Sequence, residues 1–499
     1  MESETVNSTE HYHKQALKRE RLIFALGALA SVAMCAMLLA SPPGWWAVVI
    51  SGLIGLAILT WRAPAWALAA VLGSAILVEQ FDFGSYVPIT REIPLFENIA
   101  NFTELEGVVA CPIEVVLVVI TAAVFLRLLL RQKEAEQNIV AMPVLVFGAC
   151  MVLWLGYGLL EGGALNIAFW EMRALAYFCL IVFLTPQMVF TKRDVSVLLG
   201  TATLAVIVKA IQGAYNFFVV LGGDTTGERS VTGHEDAVFI AWILVLFIAL
   251  KLYEVGRFQR IMVGIASPVL LLTFAVTNRR AAYVALALGL VILAVNAMRE
   301  KEKRAVIVKA AIPMLLIFLV LIPVGWNATG PLGAPAGVVK SIIAPDDEED
   351  QDSSYYRKAE MVNLVHSIEN NPITGLGFGR PFQAAGSLVN INFSLADVIP
   401  HNNIVWIWAK MGTFGFGVFW AMVGSIVAAG VFGFHSLKNP YYRVVSLIAA
   451  CAMAMQCAVS YVDLQLSFSR NMIFLGVLVG LMARMHTLDG EGAADDRAV

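Results

Sequence analysis

The chain has 499 residues, of which 59% are apolar and only 14% charged, with a formal net charge of −3 and a mean hydropathy of +0.76. A water-soluble fold has too little interior to hide that much apolar side chain, so the main solvent of this protein is lipid. The near-neutral charge leaves no footprint for nucleic acid, and the six cysteines contain no CxxC spacing that would suggest a zinc site or a disulfide framework.

A membrane helix needs about twenty mostly apolar residues. The first candidate, 22–40, follows the basic segment "HKQALKRER" and reads as a retained helix, because no small-residue cleavage site precedes the next run. Further candidates lie near 45–61, 64–80, 108–130, 139–160, 172–190, 196–220, 236–252, 261–277, 281–298, 305–325, 413–434, 444–463 and 471–485. The expected fold is an all-α polytopic membrane protein with about fourteen (12–14) transmembrane helices. With the N-terminus inside, Lys14, Lys18, Arg19, Arg21, Arg62, Arg127, Arg131, Lys133, Lys192, Arg193, Lys251, Arg257, Arg260, the "REKEKR" run at 299–304, Lys438, Arg443 and Arg484 all fall on the cytoplasmic side. The external turns keep only Arg91, Arg173, Arg229, Arg279, Arg280 and Arg470. That positive-inside pattern places both termini in the cytoplasm.

The chain then divides into a cytoplasmic segment 1–21, helices over 22–325, a large external loop 326–412, terminal helices over 413–485 and a polar tail 486–499 expected to be disordered. The loop opens with "NATGPLGAPAG" and carries the acidic run "PDDEEDQD". It continues into an amphipathic helix, with Met361, Leu364, Val365 and Ile368 on one face, ended by Asn370-Asn371-Pro372. The following "GLGFGR" succeeds a helix rather than a strand, so its glycines serve a tight turn and not a dinucleotide.

Several groups at the external face carry chemistry. Arg173 stands at the outer start of a span, Arg229 in the loop "TTGERSVTGHEDAVF", Arg279 and Arg280 in the turn "AVTNRRAAYVAL", and Arg357 and Arg380 in the large loop. A guanidinium at a membrane edge either snorkels to headgroups or grips phosphate in bidentate fashion. Two in one external turn favour phosphate. His401, between Pro400 and Asn402-Asn403, is the best catalytic candidate, since imidazole titrates nearest neutrality and can take the proton of a hydroxyl. Its alternative role is helix capping. "GHEDA" is too sparse for a metal. Glu114 and Lys209, inside spans, either pair across helices or mark an ion path. Tyr355, Tyr356, Trp406 and Trp408 offer flat faces to sugar rings or anchor the membrane interface.

The run "NPITGLGFG … PHNNIVWIWAKMGTFGF" resembles the C-terminal signature of the O-antigen ligase and Wzy-type polymerase superfamily: a P-x-x-G-x-G turn, a His-Asn pair, a helix and a glycine-containing start to the next span. "NRRAAYVAL" is similar to that family's S-R-G-A turn, with Arg279 at its arginine and Arg280 replacing its glycine. "RSVTGHEDAVF" resembles the loop in which an arginine precedes a helix start, with "HED" where many members carry "NPN". The resemblance runs over residues 170–480.

It implies a GT-C-like glycosyltransferase in the bacterial inner membrane, with the large loop periplasmic. The enzyme would need no metal or cofactor. It would pass a glycan from polyprenyl pyrophosphate, with inversion, to an acceptor hydroxyl on a lipid A core sugar (ligase) or on the end of a growing glycan (polymerase). The resemblance assigns catalysis to His401 and pyrophosphate binding to Arg229 and Arg279, with Arg280, Arg173, Arg357 and Asn402 as further substrate contacts. The alternative is a transporter or flippase of lipid-linked glycans. That class predicts repeat symmetry and broken helices at the midplane, neither of which the sequence shows. A peptidoglycan-type polymerase would need a catalytic external carboxylate, and a scaffold would leave the external arginines without a role.

Overall fold

In lipid a backbone must satisfy its own hydrogen bonds, so long apolar runs can only become helices. The computed structural model describes residues 45–81, 86–101, 109–130, 138–224, 231–277, 279–326, 336, 340, 348–386 and 395–495. Among them the extended elements are all helical. They are α1 (Trp45–Arg62), α2 (Pro64–Leu77), α3 (Pro112–Leu129), α4 (Ala141–Leu160), α5 (Leu165–Met188), α6 (Lys192–Tyr215), α7 (His234–Leu252) and α8 (Arg257–Val276). They continue as α9 (Arg280–Ala297), α10 (Lys301–Gly325), α11 (Glu348–Asn370), α12 (Asn403–Ser436), α13 (Pro440–Ser460) and α14 (Ser469–Asp495). α1 and α3 belong to one compact unit, and the chain from Leu68 to Pro112 together with everything after α3 forms a second, which carries all the candidate site residues.

Nine described helices are long and apolar enough to cross a membrane, so the chain is a polytopic helical membrane protein. α7 stands outside that set because Glu235, Asp236 and Lys251 load its ends with charge. α2 and the described apolar part of α1 are shorter than a full span. The expected first span, 22–40, lies outside the described residues, as does Arg229.

Within the second unit α13 and α14 are the most deeply buried helices. Small residues let them pack closely. A Cβ on Gly430 of α12 would come within 2.6 Å of the Ser446 carbonyl of α13, and one on Gly480 of α14 within 2.5 Å of Thr185 on α5. Three of the basic residues expected on the cytoplasmic side have contacts within this unit. Arg443 pairs with Glu300, Arg484 Nε donates to the Val189 carbonyl at 3.1 Å, and the Lys438 amide donates to Asp489 at 2.8 Å.

Three boundaries differ from those expected. α5 begins at Leu165, which carries Arg173 from the outer start of a span into the helix interior. α12 begins at Asn403 rather than 413 and is two helical pieces that meet at Gly412, whose φ of 62° and ψ of −175° break the helix. α14 continues to Asp495, so helix replaces the disordered tail up to that residue.

Candidate active site

The segment between α10 and α12 is organised by the buried face of α11, and that face is not the expected apolar one. Tyr356, Glu360, Asn363, Leu364, Ser367 and Ile368 are buried, whereas Val365 is exposed. They recur at helical spacing, but half of them are polar and each polar group has work. Asn363 Oδ1 accepts from the amides of Ala385 and Gly386 at 2.9 and 3.0 Å, and Ser367 Oγ accepts from the Gln383 amide at 2.9 Å. The returning strand of the loop is thereby laced to the helix.

Glu360 takes His401. The carboxylate lies 3.0 Å (Oε2) and 3.1 Å (Oε1) from Nδ1 of the imidazole, and Oε2 also accepts from the His401 amide at 3.2 Å. Glu360 is 3% exposed, while the His401 side chain is 25% exposed. Tyr356 sets the ring plane from the side, edge-on at 5.6 Å between centroids and 79°. Burial and the neighbouring Glu360 charge push its phenol up to about 12, so it stays neutral. A carboxylate on Nδ1 makes that nitrogen the donor and leaves Nε2, which has no partner among the described residues, as the reactive position. The arrangement has the form of a general base with its orienting acid.

Asn402 caps α12, its Oδ1 accepting from the Val405 amide at 2.9 Å, so the structure gives it a capping contact. Asn403 holds more. Its amide donates to the Pro400 carbonyl at 3.0 Å, and its Oδ1 accepts from the amides of Leu466 and Ser467 at 2.9 and 3.1 Å. The loop that delivers His401 is thus tied to the segment between α13 and α14.

The glycine turn lies beneath this loop. Gly375, Gly377 and Gly379 all adopt positive φ, and the turn runs between α4 and α12 with almost no side-chain spacing. A Cβ on Gly377 would meet the Gly158 Cα of α4 at 2.4 Å, and one on Gly375 the Gly412 nitrogen at 2.4 Å. The amides of Leu376 and Gly377 donate to the carbonyls of Ala409 and Lys410 at 2.9 Å, which the break at Gly412 leaves open. A wholly buried ion pair locks the same place. Lys410 Nζ lies 2.6 Å from Glu171 Oε1, Glu171 accepts the Gly379 amide, and Lys410 donates to the Arg380 carbonyl. Sequence reasoning missed Glu171 and Lys410. The signal was a lysine in "IWAKMG" and an acid in "FWEMR", each inside an aromatic run where a charge needs a partner.

A second group of charges occupies the same end of the unit. Thr232 and Thr277 hydroxyls meet at 3.2 Å, which packs the turn carrying Arg279 and Arg280 against the start of α7. His234 Nδ1 lies 3.1 Å from Asp463 Oδ2, on the segment that Asn403 also holds. Behind it Arg470 is fully buried, donating to the Ala75 and Ile76 carbonyls, to Glu79 and to Asp236. Lys209 pairs with Glu79 and, at 3.3 Å, with Asp236.

The predicted residues therefore separate. His401 and Asn402 stand with Glu360 and Tyr356, and Arg279 and Arg280 stand at the same end of the unit, joined to His401 through the 461–468 segment. Arg173 is instead 7% exposed, stacked 3.6 Å over Trp170 and donating to Cys111, which takes it away from the membrane edge where it was expected. Arg357 is exposed, one turn before Glu360 on α11. Trp406 is fully buried with its indole donating to Val398, and Trp408 stacks on Phe416, so the first is shut off from any sugar.

Fold and site together define a polytopic helical membrane protein that gathers a carboxylate-held imidazole and an arginine turn at one end of its bundle. Residues 265–420 match the family model described as O-antigen ligase, in agreement with the motif resemblance. It contains Arg279, Arg280, α11, the glycine turn and His401. No curated protein matches the chain.

Proposed function

We propose that the chain is an inner-membrane glycosyltransferase that moves a glycan from polyprenyl pyrophosphate to an acceptor hydroxyl at the periplasmic face, as an O-antigen ligase or polymerase. The observation that carries this reading is the His401–Glu360 pair, reactive nitrogen outward, at the same end of the unit as the Arg279–Arg280 turn, within the segment that matches the O-antigen ligase family model. His401 Nε2 takes the acceptor hydroxyl proton as that oxygen bonds to the anomeric carbon. The anomeric C–O bond breaks with its electron pair going to the pyrophosphate, whose growing charge is held by Arg279, Arg280 and Arg229. Back-side attack inverts the anomeric centre, and the arginines supply what a metal would otherwise supply. The fourteen-span, GT-C-like arrangement, with both termini cytoplasmic and the loop of α11 periplasmic, sets this face outward.

The test is transfer by the purified full chain in lipid vesicles, with polyprenyl-pyrophosphate-linked glycan as donor and lipid A core or glycan ends as acceptor. Native protein forms product, His401→Ala loses it at unchanged protein level, and a His401→Ala variant with native transfer rates refutes the assignment.

A further inference from the structure

His234 takes no part in the reaction as derived so far, yet it has the same form as His401. Its Nδ1 is held by a carboxylate, Asp463 Oδ2, at 3.1 Å, and its side chain is 44% exposed. Nε2 has no partner among the described residues. Asp463 is itself fixed: Gln465 Nε2 donates to Oδ2 at 2.9 Å and the Leu464 amide to Oδ1 at 2.8 Å. Burial opposes its charge, but the His234 imidazole with its hydrogen bond, Gln465 and the Arg279 guanidinium together hold the carboxyl below the usual carboxylate range. The Thr232–Thr277 contact brings the turn that carries Arg279 to the start of α7, where His234 stands.

The geometry points to His234 as a donor-phosphate ligand: its Nε2–H, aimed outward by Asp463, binds a phosphate oxygen of the pyrophosphate beside Arg279. This rests on the transferase reading and divides its labour. His401 with Glu360 serves the acceptor, and His234 with Arg279 serves the leaving group. No proton changes hands at His234; its ring N–H donates a hydrogen bond to an anion whose charge grows as the anomeric bond breaks. The charged groups around it are Glu235 and Asp236 on its own helix, Asp463 on the 461–468 segment, Arg279 before α9 and Arg470 on α14, with Glu79 and Lys209 behind.

Inorganic pyrophosphate is the probe, bound to the detergent-solubilised full chain in a calorimeter, with donor and acceptor KM measured in parallel. His234→Gln and Asp463→Asn should each weaken pyrophosphate about ten-fold, and raise donor KM while leaving acceptor KM unchanged. A general loss of structure would raise both KM values together. If the native chain binds pyrophosphate and transfers glycan while His234→Gln binds pyrophosphate equally well, the inference falls and the transferase reading stands. If the native chain neither binds pyrophosphate nor transfers, both fall.

Discussion

Glu360→Gln is the sharpest perturbation of the acceptor half, because it changes one atom and a charge while keeping the shape of α11. Glu360 holds His401 at Nδ1 and at the backbone amide. Glutamine can keep one of these with its single oxygen, and its NH2 then points at a group that also donates. When His401 takes the hydroxyl proton the ring becomes a cation, so the lost carboxylate is missed most in the transition state. A hydrogen bond to a charged group is worth about 1.5–3 kcal/mol, and about 1.36 kcal/mol is a factor of ten in rate, so the expected loss in kcat/KM is roughly ten- to 150-fold. Donor KM should hold, since Arg279 and His234 sit on other turns. Initial rates with a radiolabelled lipid-linked donor, on protein whose elution profile in detergent matches the native chain, make the measurement. Glu360→Gln working within about two-fold of native would show that the carboxylate serves only to pack α11, and the general-base assignment would lose its orienting group.

Other perturbations separate folding from chemistry. Lys410→Met strands the fully buried Glu171 carboxylate and should cost about 3–5 kcal/mol, with much of the loss recovered in the Glu171→Gln/Lys410→Met double variant; thermal unfolding in detergent reads both, and equal midpoints for single and double variants refute the pairing. Gly377→Ala must hold φ near 75° and place a Cβ 2.4 Å from the Gly158 Cα, so it should cost about 2 kcal/mol or more and release the turn to protease, whereas native protease resistance would sink the idea. Asp463 has a folded-state pKa below its unfolded value near 3.8, so its ionised form stabilises the fold above about pH 4 and that contribution fades as pH falls through the depressed value. Asp463→Asn should then be less stable than the native chain at neutral pH, with the gap narrowing below about pH 4; a gap undiminished at about pH 3 contradicts the sign.

How much of this was legible follows from what periodicity and charge can report. The described helices lie close to the predicted runs because a 20-residue apolar window is dictated by bilayer thickness, whatever the helix packs against. The site was legible only where residue type announced itself. His401 and Arg279 stood out as polar groups at an apolar boundary. Glu360 did not, because it falls on the face of α11 that a hydrophobic pattern assigns to solvent: the reading chose Met361, Leu364, Val365 and Ile368, and the chain buries Glu360, Asn363 and Ser367 with two of them. A pattern of apolar spacing finds the face that meets oil, and this helix meets backbone amides. Arg173 shows the opposite limit. Its helix starts at Leu165, and the guanidinium stacks on Trp170 and donates to Cys111, a partner 62 positions earlier that no local pattern could supply.

The joint between the two halves is the 461–468 segment, which carries no catalytic residue of its own. Asn403 Oδ1 accepts Leu466 and Ser467, and four residues earlier Asp463 holds His234. Because the Asn403 amide also fixes the Pro400 carbonyl, the position of His401 is referred to the same short segment that positions the group beside Arg279. Reactive atoms that must meet within a few tenths of an ångström gain from a common reference, since independent loops would add their errors. The buried charges behind that segment then have a reason to be costly and complete. Arg470 and Lys209 satisfy Glu79 and Asp236, and so hold rigid the start of α7, where His234 meets Asp463 of the segment, and the start of α14, into which the segment runs.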